Sequence, residues 1–165
     1  MAPDERDGAP AKPADRLPIL VGTAWALGLD VPAAVLLPLG GPGGRVLEAV
    51  EPGLAGRIEH GDFLVGGDRF GRGERAGEAA RALRDLGVAA VVAHSFDGNF
   101  QAAADRIGLA AVQLNEALVI HTGARLRVDL EGGRVVNMSS GDRFPIRHLG
   151  EDRLATLREV LLAGS

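Results

Sequence analysis

The residues best suited to chemistry cluster at positions 66–77, which read Gly-Gly-Asp-Arg-Phe-Gly-Arg-Gly-Glu-Arg-Ala-Gly. Glycines in such a turn let backbone N–H groups approach a ligand, and a helix N-terminus just beyond adds partial positive charge that favours carboxylate or phosphate. Arg69, Arg72 and Arg75 present planar forks that suit a carboxylate, and Glu74 can act as a base. Gly71, Gly73, Arg72, Arg69, Arg75 and Glu74 are therefore the candidate site. Residues 71–76 also satisfy the G-x-G-x-x-G/A spacing of dinucleotide sites, although the unit lies mid-chain and Asp68-Arg69-Phe70 lengthens the connection into it. A plainer reading is that Glu74 and Glu78 offset the helix dipole while the arginines are solvated.

His94 is a second candidate. It follows an apolar run at 88–93, at the carboxyl edge where α/β sheets place their ligands, with Ser95 and Asp97 close in sequence. Catalytic triads are assembled from distant segments, so these neighbours alone make no triad. A hydrogen-bonded or turn-forming histidine is the alternative. His60, His121 and His148 have no metal-ligand spacing. Residues 139–142, Ser-Ser-Gly-Asp, have the types of a hairpin turn.

The elements that must position these groups follow from periodicity. Short apolar runs at 17–22 and 33–39 read as buried strands, and the Gly/Pro cluster at 40–44 as a mobile loop. Residues 45–50 can form a helical turn. A strand at 63–65 enters the glycine turn. From 74 to 86, Ala76, Ala79, Ala80, Leu83 and Leu86 recur at spacings of three and four, which predicts an amphipathic helix stopped by Gly87. A buried strand at 88–93, a helix at 99–106 stopped near Gly108 and a strand at 109–114 complete a parallel βαβαβ pattern. Alternation at 125–130, the Gly132-Gly133 turn and Val135-Val136 predict a hairpin, followed by a strand at 144–146 and a helix at 151–162.

Composition narrows the function. The 165 residues, 46% of them apolar, make one α/β domain of ordinary core size, at 18–165, behind a disordered tail at 1–17 with Pro3, Pro10 and Pro13. That tail lacks the apolar run of a secretory signal, and no stretch is long enough to span a membrane, so a cytoplasmic location is expected. A net charge of −4 with interspersed signs offers no basic stripe for nucleic acid. Zero cysteines exclude disulfides, a thiol nucleophile and any thiolate-held metal on this chain.

Residues 58–114 resemble the small subunit of 3-isopropylmalate dehydratase, the swivel domain of the aconitase superfamily. The resemblance is carried by residues 61–67 (Gly-Asp-Phe-Leu-Val-Gly-Gly), residues 70–73 (Phe-Gly-Arg-Gly), Ala82-Leu83, Gly87-Val88, residues 91–93, Ser95-Phe96, Phe100 and Gly108-Leu109. It continues through residues 128–130, Gly133, Asn137 and Gly141 to Pro145. It implies a swivelling β/β/α domain that caps a large subunit carrying a [4Fe–4S] cluster, with no cofactor bound by this chain. In the family the swivel domain supplies a serine and a carboxylate-binding arginine from a Gly-Ser-Ser-Arg-Glu segment. This chain has Gly73-Glu74-Arg75-Ala76-Gly77 there, so Glu74 and Arg75 stand nearest to those roles. The family's Asp-Thr-Asp falls on Pro32-Ala33-Ala34, and its substrate-selecting segment on Leu39-Gly40-Gly41.

The resemblance implies one half of a heteromeric hydro-lyase that isomerises a hydroxy-dicarboxylate by dehydration and rehydration, with leucine biosynthesis as the default pathway. Its site would be Glu74 and Arg75 for catalysis, with Gly71, Arg72, Gly73, Arg69 and His94 binding substrate. Two alternatives stand beside it: a non-catalytic paralogue that pairs with a large subunit for assembly or regulation, and a free-standing dinucleotide-binding domain.

Overall fold

In a computed structural model, described here over residues 16–38 and 45–163, the chain forms one seven-stranded mixed sheet with helices packed on it. The strands are β1 (Leu20–Gly28), β2 (Phe63–Gly66), β3 (Ala90–Ala93), β4 (Ala110–Gln113), β5 (Arg125–Asp129), β6 (Arg134–Asn137) and β7 (Arg143–Pro145). The helices are α1 (Ala33–Leu36), α2 (Ala76–Leu86), α3 (Gly98–Ile107) and α4 (Glu151–Ala163). The spatial order is β4-β3-β2-β1-β5-β6-β7. β1 to β4 are parallel, and β5 to β7 are antiparallel to their neighbours. A bridge from Gln113 to Arg147, two residues past β7, brings the two outer strands together.

β2, β3 and β4 are buried on both faces, as continuous apolar runs require, while β1 is partly exposed. Leu64, Val91, Ala93 and Ala111 face α2 and α3, while Phe63, Val65, Ala90, Val92, Ala110 and Val112 face Leu126, Val128, Val135 and Phe144 of the antiparallel half. Ala76, Ala79, Ala80 and Leu83 form the buried stripe of α2, and Gly77 lies against Ala103 of α3. Gly87 and Gly108 end α2 and α3 in the left-handed conformation, each donating its N–H back into the last turn.

Three expectations require correction. Residues 33–36 form helix α1, not a strand: Pro32 occupies its N-cap with extended backbone, and Leu37 is extended again one turn later. The first strand does not stop at Gly22 but runs on to Gly28, because Gly22 serves close approach: a Cβ there would meet the Gly61 carbonyl oxygen at 2.4 Å. α2 begins at Ala76 and not at Glu74, since Gly73 has φ +124° and Arg75, the N-cap, φ −104° and ψ 36°. The glycine-rich segment 40–44 and most of the tail lie outside the described residues. Leu17, at the end of the expected tail, is buried, and its N–H donates to Glu131 Oε2 at 3.0 Å.

Two buried carboxylates fix the frame. Asp62 accepts the Thr23 N–H, the Glu59 N–H and the Trp25 indole N–H at 3.1, 2.9 and 2.9 Å, pinning β1 to the approach to β2. Asp105 on α3 receives Arg153 of α4 at 2.7 and 3.0 Å, and the same guanidinium donates to the carbonyls of His148 and Ala111.

Candidate functional site

The glycine turn leaves β2 at Gly66 and is held from below and from the side. A Cβ on Gly67 would meet the Leu29 carbonyl oxygen at 2.4 Å, and one on Gly66 would strike the Phe70 ring. Phe70 is fully buried and meets Phe96 and Phe100 edge-on, with centroids 5.9 and 5.4 Å away. Gly71, at φ +80°, sits against the Phe100 ring, 2.4 Å from its would-be Cβ, and donates its N–H to the Val31 carbonyl at 2.8 Å. These glycines serve packing and chain direction, so Gly71 has no N–H left for a pyrophosphate. The sheet order also departs from the 3-2-1-4-5-6 arrangement of dinucleotide folds.

Beyond Gly71 the turn opens into a cleft of about 660 Å3 between residues 69–75 and residues 32–38. The Ala33 N–H donates to the Arg72 carbonyl at 2.8 Å and fixes the two walls at one end. Arg69, Arg72, Gly73, Glu74 and Arg75 line one wall; Pro32, Ala33, Ala34, Leu37 and Pro38 line the other, and Asp97 also borders the space. α2 points its N-terminus into this space, and no side chain caps it, so its first N–H groups and its dipole favour an anion there.

The arginines differ in what they already hold. Arg72 pairs through both terminal nitrogens with Asp30, two residues past β1, which keeps the Asp30 carboxyl below its usual range and raises the guanidinium. Arg75 forms a two-pronged pair with Glu78 at 2.9 and 2.7 Å on the outer surface, lowering Glu78 and rising itself. Arg69 sits in the left-handed region at φ +52° and makes no ion pair among the described residues. Glu74 also lacks an ion-pair partner there, and it lines the cleft.

His94 does not line this cleft. It stands on the other side of the turn, where Nδ1 meets Asp68 Oδ1 at 2.5 Å. Ser95 Oγ donates to the same carboxylate at 3.1 Å and accepts the Arg69 N–H at 2.8 Å. These two donors, His94 first, hold the Asp68 carboxyl low. The carboxylate stands between serine and histidine, so no histidine contacts Ser95 and the order is not that of a catalytic triad. Asp97 is engaged separately as the N-cap of α3, accepting the N–H groups of Asn99 and Phe100. Sequence reasoning missed Asp30 and Asp68. The only available signal for Asp30 was an acid at a strand's carboxyl edge.

No protein-family model matches the chain. It is 33% identical to the 3-isopropylmalate dehydratase small subunit 1 of Archaeoglobus fulgidus over 152 residues, covering 87% of this chain and 92% of the relative. It is 27% identical to the methanogen homoaconitase small subunit of Methanothermobacter thermautotrophicus, covering 86% of each. Among solved structures it superposes on a crystal structure of 3-isopropylmalate dehydratase from Methanocaldococcus jannaschii with a TM-score of 0.72 and 21% identity, covering 88% of this chain and 98% of that one.

Proposed function

Because the chain belongs to the 3-isopropylmalate dehydratase small-subunit family, we propose that it is the swivel half of a two-subunit hydro-lyase acting on a substituted malate. The observation that carries the reading is the cleft itself, where an uncapped helix N-terminus, Arg69 and Glu74 face residues 32–38. The reading is supported by the alignment of the family's Gly-Ser-Ser-Arg-Glu segment with residues 73–77 and of its Asp-Thr-Asp with residues 32–34. In the reaction a hydroxyl leaves one carbon and a proton its neighbour, and water returns across the alkene with the positions exchanged.

In this reading Arg69, Arg72 and the N–H groups at the start of α2 hold a substrate carboxylate. Glu74 stands where the family has a serine and takes the proton, while Arg75 turns from Glu78 to a second carboxylate. The family resemblance implies a [4Fe–4S] cluster on the large subunit, which would supply the Lewis acid for the leaving hydroxyl; this chain, without cysteine, would contribute the groups named above. A cytoplasmic location and a place in leucine biosynthesis belong to the same reading. Among the described residues, no helix is long and apolar enough to cross a membrane.

A second reading, a non-catalytic partner of a large subunit, draws on one observation: Arg72 and Arg75 are both paired with carboxylates of their own chain. Co-expression with a cysteine-bearing large subunit separates the two. Under anaerobic conditions, alkene absorbance from 2- or 3-isopropylmalate is expected to rise. A stable complex that turns over no malate homologue would establish the second reading. Glu74→Gln and Arg75→Ala then test the assigned roles, and unchanged activity in both would remove them.

A further inference from the structure

We propose that Ser95, held by Asp68 and His94, is a positioning residue that locks the Arg69 backbone in the left-handed conformation and so aims its guanidinium into the cleft. The inference rests on the hydro-lyase reading and names the device that presents one of its carboxylate-binding groups. Arg69 has φ +52°. Left-handed backbone suits glycine and disfavours a residue that carries a Cβ. Gly71 and Gly73 take positive φ in the same turn, yet position 69 holds an arginine. Such a conformation persists only where the surroundings over-determine it, and positions of this kind cluster at functional sites.

Ser95 supplies the restraint at two successive amides. Its Oγ accepts the Arg69 N–H at 2.8 Å, and its carbonyl accepts the Phe70 N–H at 3.0 Å. The Arg69 carbonyl in turn accepts the Arg72 N–H at 3.2 Å, so the left-handed residue is bonded on both sides. A hydroxyl can donate or accept and rotates to suit. Asp68 removes that freedom: it takes the Ser95 hydroxyl hydrogen at 3.1 Å and leaves an Oγ lone pair to Arg69. His94 Nδ1 meets the same Asp68 oxygen, and the two hydrogen bonds keep the carboxyl low, hence ionised and able only to accept. Asp68 and His94 lie outside the lining of the cleft, whereas Arg69, next to Asp68 in sequence, lines it. The network therefore acts through Arg69 and touches no ligand in the cleft itself.

The test is succinate titrated calorimetrically into the full-length chain, with Michaelis parameters measured on the complex with its large subunit. Ser95→Ala is expected to weaken succinate about five- to tenfold, as the loss of a well-aimed charge-assisted hydrogen bond would. In the complex it should raise KM by a similar factor and leave kcat within about twofold, because a carboxylate is held alike before and during the reaction. Ser95→Thr, which keeps the hydroxyl, is expected to recover most of both. In an Arg69→Ala background, Ser95→Ala should add less than about twofold, since the group it aims is gone. A serine with a merely structural role would add its full loss there. The inference is overturned if the unaltered chain binds no succinate, if either single variant binds it as the natural chain does, or if the two losses add. Where Ser95→Ala does not fold, Asp68→Ala, at an exposed side chain, goes through the same cycle with the same overturning outcomes. A complete cycle in succinate binding without turnover of any malate homologue would retire the hydro-lyase and keep the device. Turnover that is indifferent to Ser95→Ala would do the reverse.

Discussion

Asp30 and Arg72 face each other across 42 positions of sequence, the carboxylate just past β1 taking both terminal nitrogens of a guanidinium in the glycine turn. The pair couples the mouth of the cleft to the sheet, yet the Asp30 side chain is 68% exposed. Asp30→Asn is therefore expected to leave the unfolding midpoint nearly unchanged, as for other solvated pairs. Releasing Arg72 should tighten binding of succinate to the full-length chain several-fold. Denaturant melts and calorimetry read both; weaker succinate binding in the variant would show that Asp30 orients Arg72 more than it competes for it.

The glycines of the turn make separable predictions. Gly71→Ala combines φ +80° with a Cβ placed 2.4 Å from the Phe100 ring, and should cost about 2–4 kcal/mol through overpacking and strain. Gly73→Ala has φ +124° but only ordinary contact, 3.8 Å from the Ala33 Cβ, so about 1–2 kcal/mol of backbone strain is expected. Chemical denaturation of the two variants side by side gives the order, and equal losses would contradict it.

How much of this was legible in the sequence varies with the range of the interaction. α2 and α3 show at once through their spacing and their terminal glycines, because those signals lie within one or two turns. α1 does not: Ala33 to Leu36 is a four-residue apolar run, too short for its period to distinguish helix from strand. The glycine turn is found as a location, but its glycines look like a phosphate cradle until Leu29, Phe70 and Phe100 are seen filling the space beside them. Asp30 and Asp68 could not be assigned, since each finds its partner across 42 and 26 residues through the register of the sheet. The family resemblance supplied what periodicity could not, placing residues 32–34 opposite the turn.

Acid should loosen one anchor of α4. Glu131 receives Arg158 at 2.9 and 2.6 Å and the Leu17 N–H, and these bonds bring its carboxyl from 4.5 down to about 2. A carboxylate lowered on folding adds stability that is complete above its unfolded value near 4.5 and is lost as the pH falls towards 2. The advantage of the natural chain over Glu131→Gln should thus be largest at pH 7 and vanish by about pH 2. Urea melts at pH 7, 4 and 2.5 measure it, and a difference constant across the three would refute the assignment.

The second anchor of α4 is less tolerant. The side chains of Arg153 and Asp105 are only 15% and 8% exposed. Asp105→Ala would leave a mostly buried cation with carbonyl partners alone, and should cost about 3–5 kcal/mol. Asp105→Asn, which can still accept a hydrogen bond, should cost clearly less. Hydrogen exchange is expected to quicken first in α4 and along the α3 face it covers; fast exchange confined to α2 would point elsewhere.

The single bridge between Gln113 and Arg147 also bears on how this chain meets others. An open sheet offers two rows of unpaired N–H and C=O groups on which a foreign strand can template itself, the usual route to edge-to-edge aggregation. Where the outermost strands meet, and the Arg147 N–H donates to the Gln113 carbonyl at 2.8 Å, that route is closed. In the two-subunit reading proposed above, a large subunit is met through loops and helix ends, surfaces that can slide and rotate against a partner without breaking a hydrogen-bonded ladder. A swivel domain of the kind proposed gains, in swinging, from keeping its backbone pairing to itself.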